Sequence, residues 1–342
     1  MIYKLKCIGI KDNALNLIES FLNNRFQRVV LNGQSSDWES ISAGVPQGSI
    51  LGPLLFLTYI NDITLDLDCN VKLFADDTCL FSTVTDSILS ATNLNSDLEK
   101  IQQWAYQWKM SFNPDLSKQA QEVIFSKKRL EVHHPNLYFD GSIVQKSSAQ
   151  KHLGVILDEK LSFNQHLKYV IDKASKGIGV LRKLRFYIPR SSLLTIYKSF
   201  IRSHLDYADV IYDQPYNASF CEKIESIQYN AALAMTGAIR GTSKDKLYKE
   251  LGLEYLSLRR WSRRLCLFYK ILNNKSPSYM QNLVPCPNNL LITCNRHQIP
   301  FIFCRTEAFS NSFYPYCIKE WRILYPNIRQ SESFDQFKLS IL

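Results

Sequence analysis

The chain has 342 residues, 46% of them hydrophobic and 12% aromatic, and a formal charge of +10. That is enough apolar material for two or three compact units with buried cores, and the positive balance suits contact with a polyanion or simply a basic surface. The longest apolar run, Ile50 to Ile60, falls short of the ~20 residues a membrane span requires, and no signal-peptide pattern opens the chain.

In chain order, Met1 to Ile10 reads as a helix, and Asp12 as the N-cap of a second one over Asn13 to Asn23. Ile41 to Val45 reads as a strand end, held extended by the following Pro46. Gly48 allows close backbone approach, and Ser49 is a fair N-cap for an apolar helix from Ile50 to Ile60. Gln47 is left at the mouth of this turn with an amide that both donates and accepts. An ordinary strand-to-helix connection, with Pro53 in the first helical turn, is the plainer reading.

Val71 to Ala75 and Thr78 to Phe81 are two apolar runs of strand length separated by Asp76-Asp77, which predicts a tight hairpin. Two-residue loops favour Asn-Gly, Asp-Gly or Gly-Gly, so adjacent carboxylates break a local rule. Such breaks without structural gain mark functional sites. The available gain is a divalent cation: Mg²⁺ takes oxygens from one or two carboxylates and completes its shell with water and phosphates. Two such ions ~3.5–4 Å apart activate a hydroxyl and stabilise a leaving group. A solvent-exposed acidic turn is the alternative.

Together these residues resemble the reverse transcriptases of non-LTR (LINE-type, jockey-like) retrotransposons. Gly44 to Phe56 is similar to the family's motif B, and Phe74-Ala75-Asp76-Asp77 to motif C. The resemblance implies Asp76 as metal ligand with Asp77 supporting, both holding Mg²⁺ or Mn²⁺, and Pro46, Gln47, Gly48 and Phe74 at the nucleotide–template pocket. Asn113 to Lys118 with Val123 to Phe125 resembles motif D, which implies Lys118 near the leaving pyrophosphate; Gln119 stands where threonine is usual. His152-Leu153-Gly154-Val155 resembles the primer grip, implying Leu153 and Gly154 against the primer. The implied partners are an RNA template, a DNA primer and deoxynucleoside triphosphates. In the family, the fingers and an aspartate-bearing motif A precede a helix resembling Met1 to Ile10. No aspartate here occupies that context, so the expectation is a chain inactive or nearly so by itself.

Farther on, Leu94, Leu98, Ile101, Trp104 or Ala105, and Trp108 are at helical spacing within Leu89 to Trp108, and the tryptophans read as packing residues rather than base platforms. Phe112 to Asp115 breaks that pattern, Gln121 to Ser126 reads as a strand, and Leu137 to Val144 as a hairpin about Asp140-Gly141. Val155 to Leu157 closes the mixed portion. A long helix then starts near Ser162 or Asn164, with Leu167, Val170, Ile171, Ala174, Ile178, Leu181 and Leu184 on one stripe. In the family this region is the thumb, which implies phosphate contacts for Lys176, Arg182 and Lys183; a solvated face is the alternative for each. Helical patterns follow after Pro189, over Ile224 to Thr236 and over Leu247 to Asn273, where Arg259-Arg260 and Arg263-Arg264 form a second basic candidate. Pro277, Pro285 and Pro287 suggest a linker, and Trp321 a docked tail.

Nine cysteines without dense regular spacing point to a reducing compartment, nucleus or cytoplasm. Cys286, Cys294, His297 and Cys304 lack the short pairs of a structural zinc site and read as ordinary thiols, with zinc as the alternative. The expected fold is α+β: a partial polymerase palm over residues 1–160, an antiparallel sheet with helices on one face, then a helical thumb over 161–275 and an extension over 276–342. Three functions remain open: an RNA-directed DNA polymerase, a non-catalytic nucleic-acid-binding remnant, and an inert pseudogene product. Oligomeric state is not legible.

Overall fold

The computed structural model describes residues 1–113, 120–128, 132–285 and 299–341. Lys118, Cys286, Cys294 and His297 lie outside the described residues. The chain divides into two compact units, Met1–Gln150 and Lys151–Leu342. Helices predominate over short strands, so the class is α+β.

The first unit opens with α1 (Ile2–Cys7) and α2 (Asp12–Leu22). Asp12 is not the cap: Lys11 is, because its carbonyl already accepts the Leu15 N–H at 3.4 Å, and Asp12 enters the helix with φ of 52°. Four short strands follow, β1 (Arg25–Gln27), β2 (Val30–Leu31), β3 (Gln34–Ser35) and β4 (Glu39–Ile41); β1 pairs with β4 and β2 with β3, both antiparallel. Next come α3 (Leu51–Ile60), the hairpin β5 (Asn70–Phe74) and β6 (Asp77–Phe81), and α4 (Ser87–Trp108). Asp86 caps α4 by accepting the N–H groups of Ile88 and Leu89. Then β7 (Gln121–Glu122), β8 (Tyr138–Phe139), β9 (Ser142–Ile143) and β10 (Gln145–Lys146) complete the unit.

The expected single antiparallel sheet is not what forms. Among the described residues every sheet is two-stranded, and β7 pairs with β10 in parallel. Cohesion comes instead from two small cores that α3 spans. Leu55 joins Leu5 and Leu15, with Val45 against them, while Ile60 joins Ile63, Ile101, Leu137 and Val144. Spanning both requires apolar residues all round the helix, which is why Leu51, Leu54 and Leu57 remain exposed. A buried cation ties the ends of the unit together. Lys4 Nζ donates to the Tyr59 carbonyl and to Asp62 Oδ1, both at 2.6 Å, and lies 3.8 Å from the centroid of Trp108 with Tyr59 and Trp104 beside it. The indole N–H of Trp104 donates to the same Asp62 oxygen, so both tryptophans pack rather than face solvent as platforms.

Strands β11 (Ala149–His152) and β12 (Val155–Asp158) pair as a hairpin. The second unit continues with α5 (Asn164–Leu184), α6 (Arg190–Ile196), a π-helical turn (Tyr197–Ile201), α7 (Arg202–Asp206), α8 (Asp209–Tyr212), α9 (Ala218–Thr236), α10 (Lys244–Leu251) and α11 (Leu256–Leu272). Five shorter elements end it: α12 (Ser278–Gln281), α13 (Glu307–Ser310), α14 (Phe313–Ile323), α15 (Pro326–Arg329) and α16 (Phe334–Ser340). The stripe predicted on α5 is its buried face: Leu167, Val170, Ala174, Ile178 and Leu181 pack with Tyr197, Ile201, Ile224 and Leu256. Gly177 is required where α5 meets the π turn, since a Cβ there would lie 2.5 Å from Ile201 Cγ1. The pattern expected to run unbroken from Leu247 to Asn273 is two helices, because Gly252 ends α10 in the left-handed conformation with φ of 58°. The far half of α11 builds a second core in which Leu265, Phe268 and Tyr269 meet Cys317, Trp321 and Phe337.

Candidate active site

The carboxylate hairpin forms with a one-residue shift from expectation. Phe74 pairs with Asp77, so the two-residue loop is Ala75-Asp76 rather than Asp76-Asp77. Ala75 takes the positive φ, 51°, that the loop demands of its first residue. Asp77 is therefore a strand residue. Directly paired residues share a face, which places Asp77 with Phe74, Lys72 and Cys79, and leaves Val71, Leu73 and Leu80 on the other. Leu73 and Leu80 pack on the core around Ile101, so the Asp77 face looks outward. Asp76, Asp77 and Phe74 are all exposed. Neither carboxylate has a hydrogen-bond or ion-pair partner among the described residues.

The base of the hairpin is fixed by Asp97 of α4, which is fully buried. Its carboxylate accepts the N–H of Asp68 at 3.1 Å and of Cys69 at 2.7 Å, and Lys100 Nζ reaches it at 3.2 Å. Burial pushes Asp97 up, but these N–H donors and Lys100 outweigh it and hold the carboxyl below its ordinary value. The Cys69 thiol moves the other way, to about 11, through burial first and the neighbouring Asp97 second.

The glycine-rich turn is set by backbone conformation and one arginine. Gly44 and Gly48 have φ of 78° and 80°. Arg25 donates to the carbonyls of Gly44 at 2.7 Å, Ala43 at 3.3 Å and Leu22 at 2.9 Å, closing the turn against β1. The hydroxyl of Ser49 donates to the Pro46 carbonyl and accepts the Gly52 N–H at 2.9 Å, so it caps α3 as expected although the helix starts at Leu51. Gln47 and Gly48 are exposed and Pro46 is half-buried. The turn and the hairpin are both anchored on α3, the first through Val45 and Leu55, the second through Phe56 and Ile60.

In the second unit, Leu153 and Gly154 form the β11–β12 turn with φ of 45° and 84°. Tyr207 holds it: its hydroxyl donates to the Leu153 carbonyl at 2.7 Å, and its ring lies where a Gly154 Cβ would approach to 3.0 Å. Asp158, at the end of β12, accepts the N–H groups of Phe163 at 2.7 Å and Ser162 at 3.0 Å. Asp158 thus fixes the turn that leads into α5, whose N-cap is Phe163 rather than the expected Ser162 or Asn164, while the Ser162 hydroxyl accepts the Asn164 N–H at 3.4 Å. Lys176, Arg182 and Lys183 are exposed on that helix and have no ion-pair or hydrogen-bond partner among the described residues.

The second basic candidate is corrected. Arg259 makes a two-pronged contact with Asp206 at 2.8–3.1 Å, Arg263 lies 3.1 Å from Asp209, and Arg260 and Arg264 lie 3.3 and 3.2 Å from Asp213. Arg260 and Arg264 are buried. These side chains bind α7 and α8 to α11 rather than facing a polyanion. Sequence reasoning missed Arg25, Asp97, Lys100 and Tyr207. The Asp97–Lys100 spacing on one helix face was the only local signal; the rest depend on contacts distant in sequence.

Residues 1–157 match the reverse transcriptase (RNA-dependent DNA polymerase) family. Over 304 residues the chain is 28% identical to the RNA-directed DNA polymerase from mobile element jockey of Drosophila melanogaster, covering 85% of this chain and 31% of that protein. Over 292 residues it is 27% identical to the probable RNA-directed DNA polymerase from transposon X-element of the same fly, covering 83% and 30%. The chain is thus similar to reverse transcriptases of mobile elements over most of its length. A further relative is the Retrovirus-related Pol polyprotein from type-1 retrotransposable element R1 of Bradysia coprophila, 26% identical over 154 residues, 43% of this chain and 14% of that protein. The chain spans about 30% of the length of the first two relatives. The matched region contains both the glycine-rich turn and the carboxylate hairpin.

Proposed function

We propose that this chain supplies the nucleotidyl-transfer and duplex-holding parts of an RNA-directed DNA polymerase, with residues 1–160 as palm, 161–275 as thumb and 276–342 as an extension. One contrast carries the reading. Asp97, Asp158, Asp206 and Asp213 are each engaged by N–H groups or guanidinium, whereas Asp76 and Asp77 stand exposed at a hairpin tip with no hydrogen-bond or ion-pair partner among the described residues.

The donor set suits Mg²⁺ or Mn²⁺, which take one or two carboxylates and share substrate phosphates. Bound there, such an ion supplies acidity to the primer 3′-hydroxyl and charge neutralisation to the triphosphate. Asp76 and Asp77 hold the ion, and the rigid base at Asp97 keeps them in place. Phe74, on the Asp77 face, offers its ring to the nucleotide–template pocket. Pro46, Gln47 and Gly48 contact the nucleotide and template, the amide of Gln47 by hydrogen bonding and Gly48 by letting backbone approach closely. Leu153-Gly154 presents a turn to the primer, Lys118 donates a proton toward pyrophosphate, and Lys176, Arg182 and Lys183 neutralise phosphates of the RNA–DNA duplex.

Among the described residues no group of three acidic, histidine or cysteine side chains gathers into a metal cage. Two carboxylates hold divalent ions weakly, so residues 1–342 by themselves should extend a primer slowly or not at all. The test is Mn²⁺ binding read by electron paramagnetic resonance, which needs no turnover. Weak binding that Asp76→Ala abolishes and Asp77→Ala reduces is expected. Binding indifferent to both substitutions would sink the assignment, and brisk extension by the isolated chain would overturn its predicted weakness.

A further inference from the structure

The turn that joins α5 to α6 is pinned from below and bare above. Tyr187 and Ile188 both donate their N–H groups to the Leu184 carbonyl, and Ile188 packs on the core beneath. Residues 185–187 are thereby pushed outward, leaving Phe186 75% and Tyr187 83% exposed. Exposing two adjacent rings this far has no benefit to packing. Around them the charge is positive: Arg182 and Lys183 occupy the last turn of α5, and Arg185 follows, its guanidinium 4.9 Å from the centre of the Phe186 ring. Arg185 also lies against the loop after α9, since a Cβ on Gly237 would come within 2.9 Å of its Nη2. That loop exposes Ile239 and Arg240. The nearby acid Glu250 is already paired with Arg190.

We propose that this corner binds single-stranded nucleic acid, with Phe186 and Tyr187 as a stacking platform for unpaired bases and Arg185 and Arg240 on the flanking phosphates. The proposal rests on the nucleic-acid reading above and is independent of catalysis. Rings and cations interleaved on one exposed surface are the chemistry of sequence-tolerant single-strand binding, in which every base offers a π-face and the backbone supplies charge. Duplex RNA or DNA keeps its bases stacked internally, so the platform favours the unpaired stretch of a template over the paired one. The arginine beside Phe186 extends the stacking surface, because a guanidinium plane also stacks on bases.

The experiment compares a fluorescent 12-nucleotide single-stranded RNA with an abasic strand of equal length, by anisotropy across a salt series, using the full 342-residue chain. The double variant Phe186→Ala/Tyr187→Ala should bind the base-containing strand about tenfold more weakly or worse. It should bind the abasic strand as the wild type does, with the salt slope unchanged. Phe186→Leu/Tyr187→Leu, which keeps apolar bulk without aromatic faces, should lose affinity for the base-containing strand in the same way, and it decides the matter should the alanine variant fold poorly. Equal affinity of the alanine variant for the base-containing strand, or equal losses on both strands, overturns the platform while leaving thumb-type binding intact. A wild-type chain that binds neither strand at low salt overturns both readings.

Discussion

Helices α5 and α11 are both basic, both amphipathic and both belong to the second unit, yet their charges have opposite fates. On α5 the cations Lys176, Arg182 and Lys183 project outward beside a buried apolar stripe. On α11 the arginines turn inward and meet Asp206, Asp209 and Asp213 on the two short helices before α9. Charge density along a helix therefore says little about ligand binding. Whether complementary charge has already been supplied by the same chain decides it. An unpaired exposed cation remains available to a phosphate, while a paired buried one is architecture whose removal exposes a desolvated partner.

The largest expected effect tests the architectural side. Asp213→Ala should destabilise the second unit by about 3–5 kcal/mol, because Arg260 and Arg264 are left buried without their carboxylate. Denaturant unfolding checks it, and a loss near zero would mean the network is incidental. A smaller effect comes from Asp209, which burial pushes up to about 6 against the pull of Arg263 and Arg260. In the unfolded chain its value is near 3.8. Between these pH values the folded state holds the extra proton, so this residue's contribution to stability is lost as pH rises from about 4 to about 6. Asp209→Asn should flatten that part of a melting-temperature profile, and an unchanged profile would assign the slope elsewhere. The smallest effect on stability belongs to α5. Arg182→Ala/Lys183→Ala should leave the melting temperature unchanged while lowering the slope of log affinity against log salt by roughly 0.7–0.9 per cation removed. A loss of stability without a change of slope would place these side chains with the α11 arginines.

The sequence pattern made the buried face of α5 legible because seven apolar residues from Leu167 to Leu184 fall at helical spacing, and nothing else in that stretch competes. It made the β8–β9 hairpin legible too, since Asp140-Gly141 takes the positive φ, 49° and 71°, that such a loop needs. The carboxylate hairpin was read one residue out of register. Its strands lacked a glycine to mark the loop, and Ala75 accepts a conformation that propensity argues against. The arginine reversal was not legible because Asp206, Asp209 and Asp213 lie some fifty residues before α11 and resemble a separate acidic stretch. The same holds for Lys4, whose partners Asp62 and Trp104 are 58 and 100 positions away from it or nearly so in the chain. Among the candidate site residues, types and neighbourhoods were readable; the side chains that hold them, Arg25, Asp97 and Tyr207, were not.

The turn at Leu153-Gly154 limits which codon changes the fold tolerates. Every single-nucleotide missense change of a glycine codon adds a Cβ. At position 154 that atom would meet both a left-handed backbone, φ 84°, and the Tyr207 ring at 3.0 Å. A sequence still selected to fold has no tolerated single-nucleotide neighbour there, whereas Gly179 on α5 has open space for a side chain. Across related sequences that still fold, replacement of glycine should therefore be rarer at position 154 than at position 179.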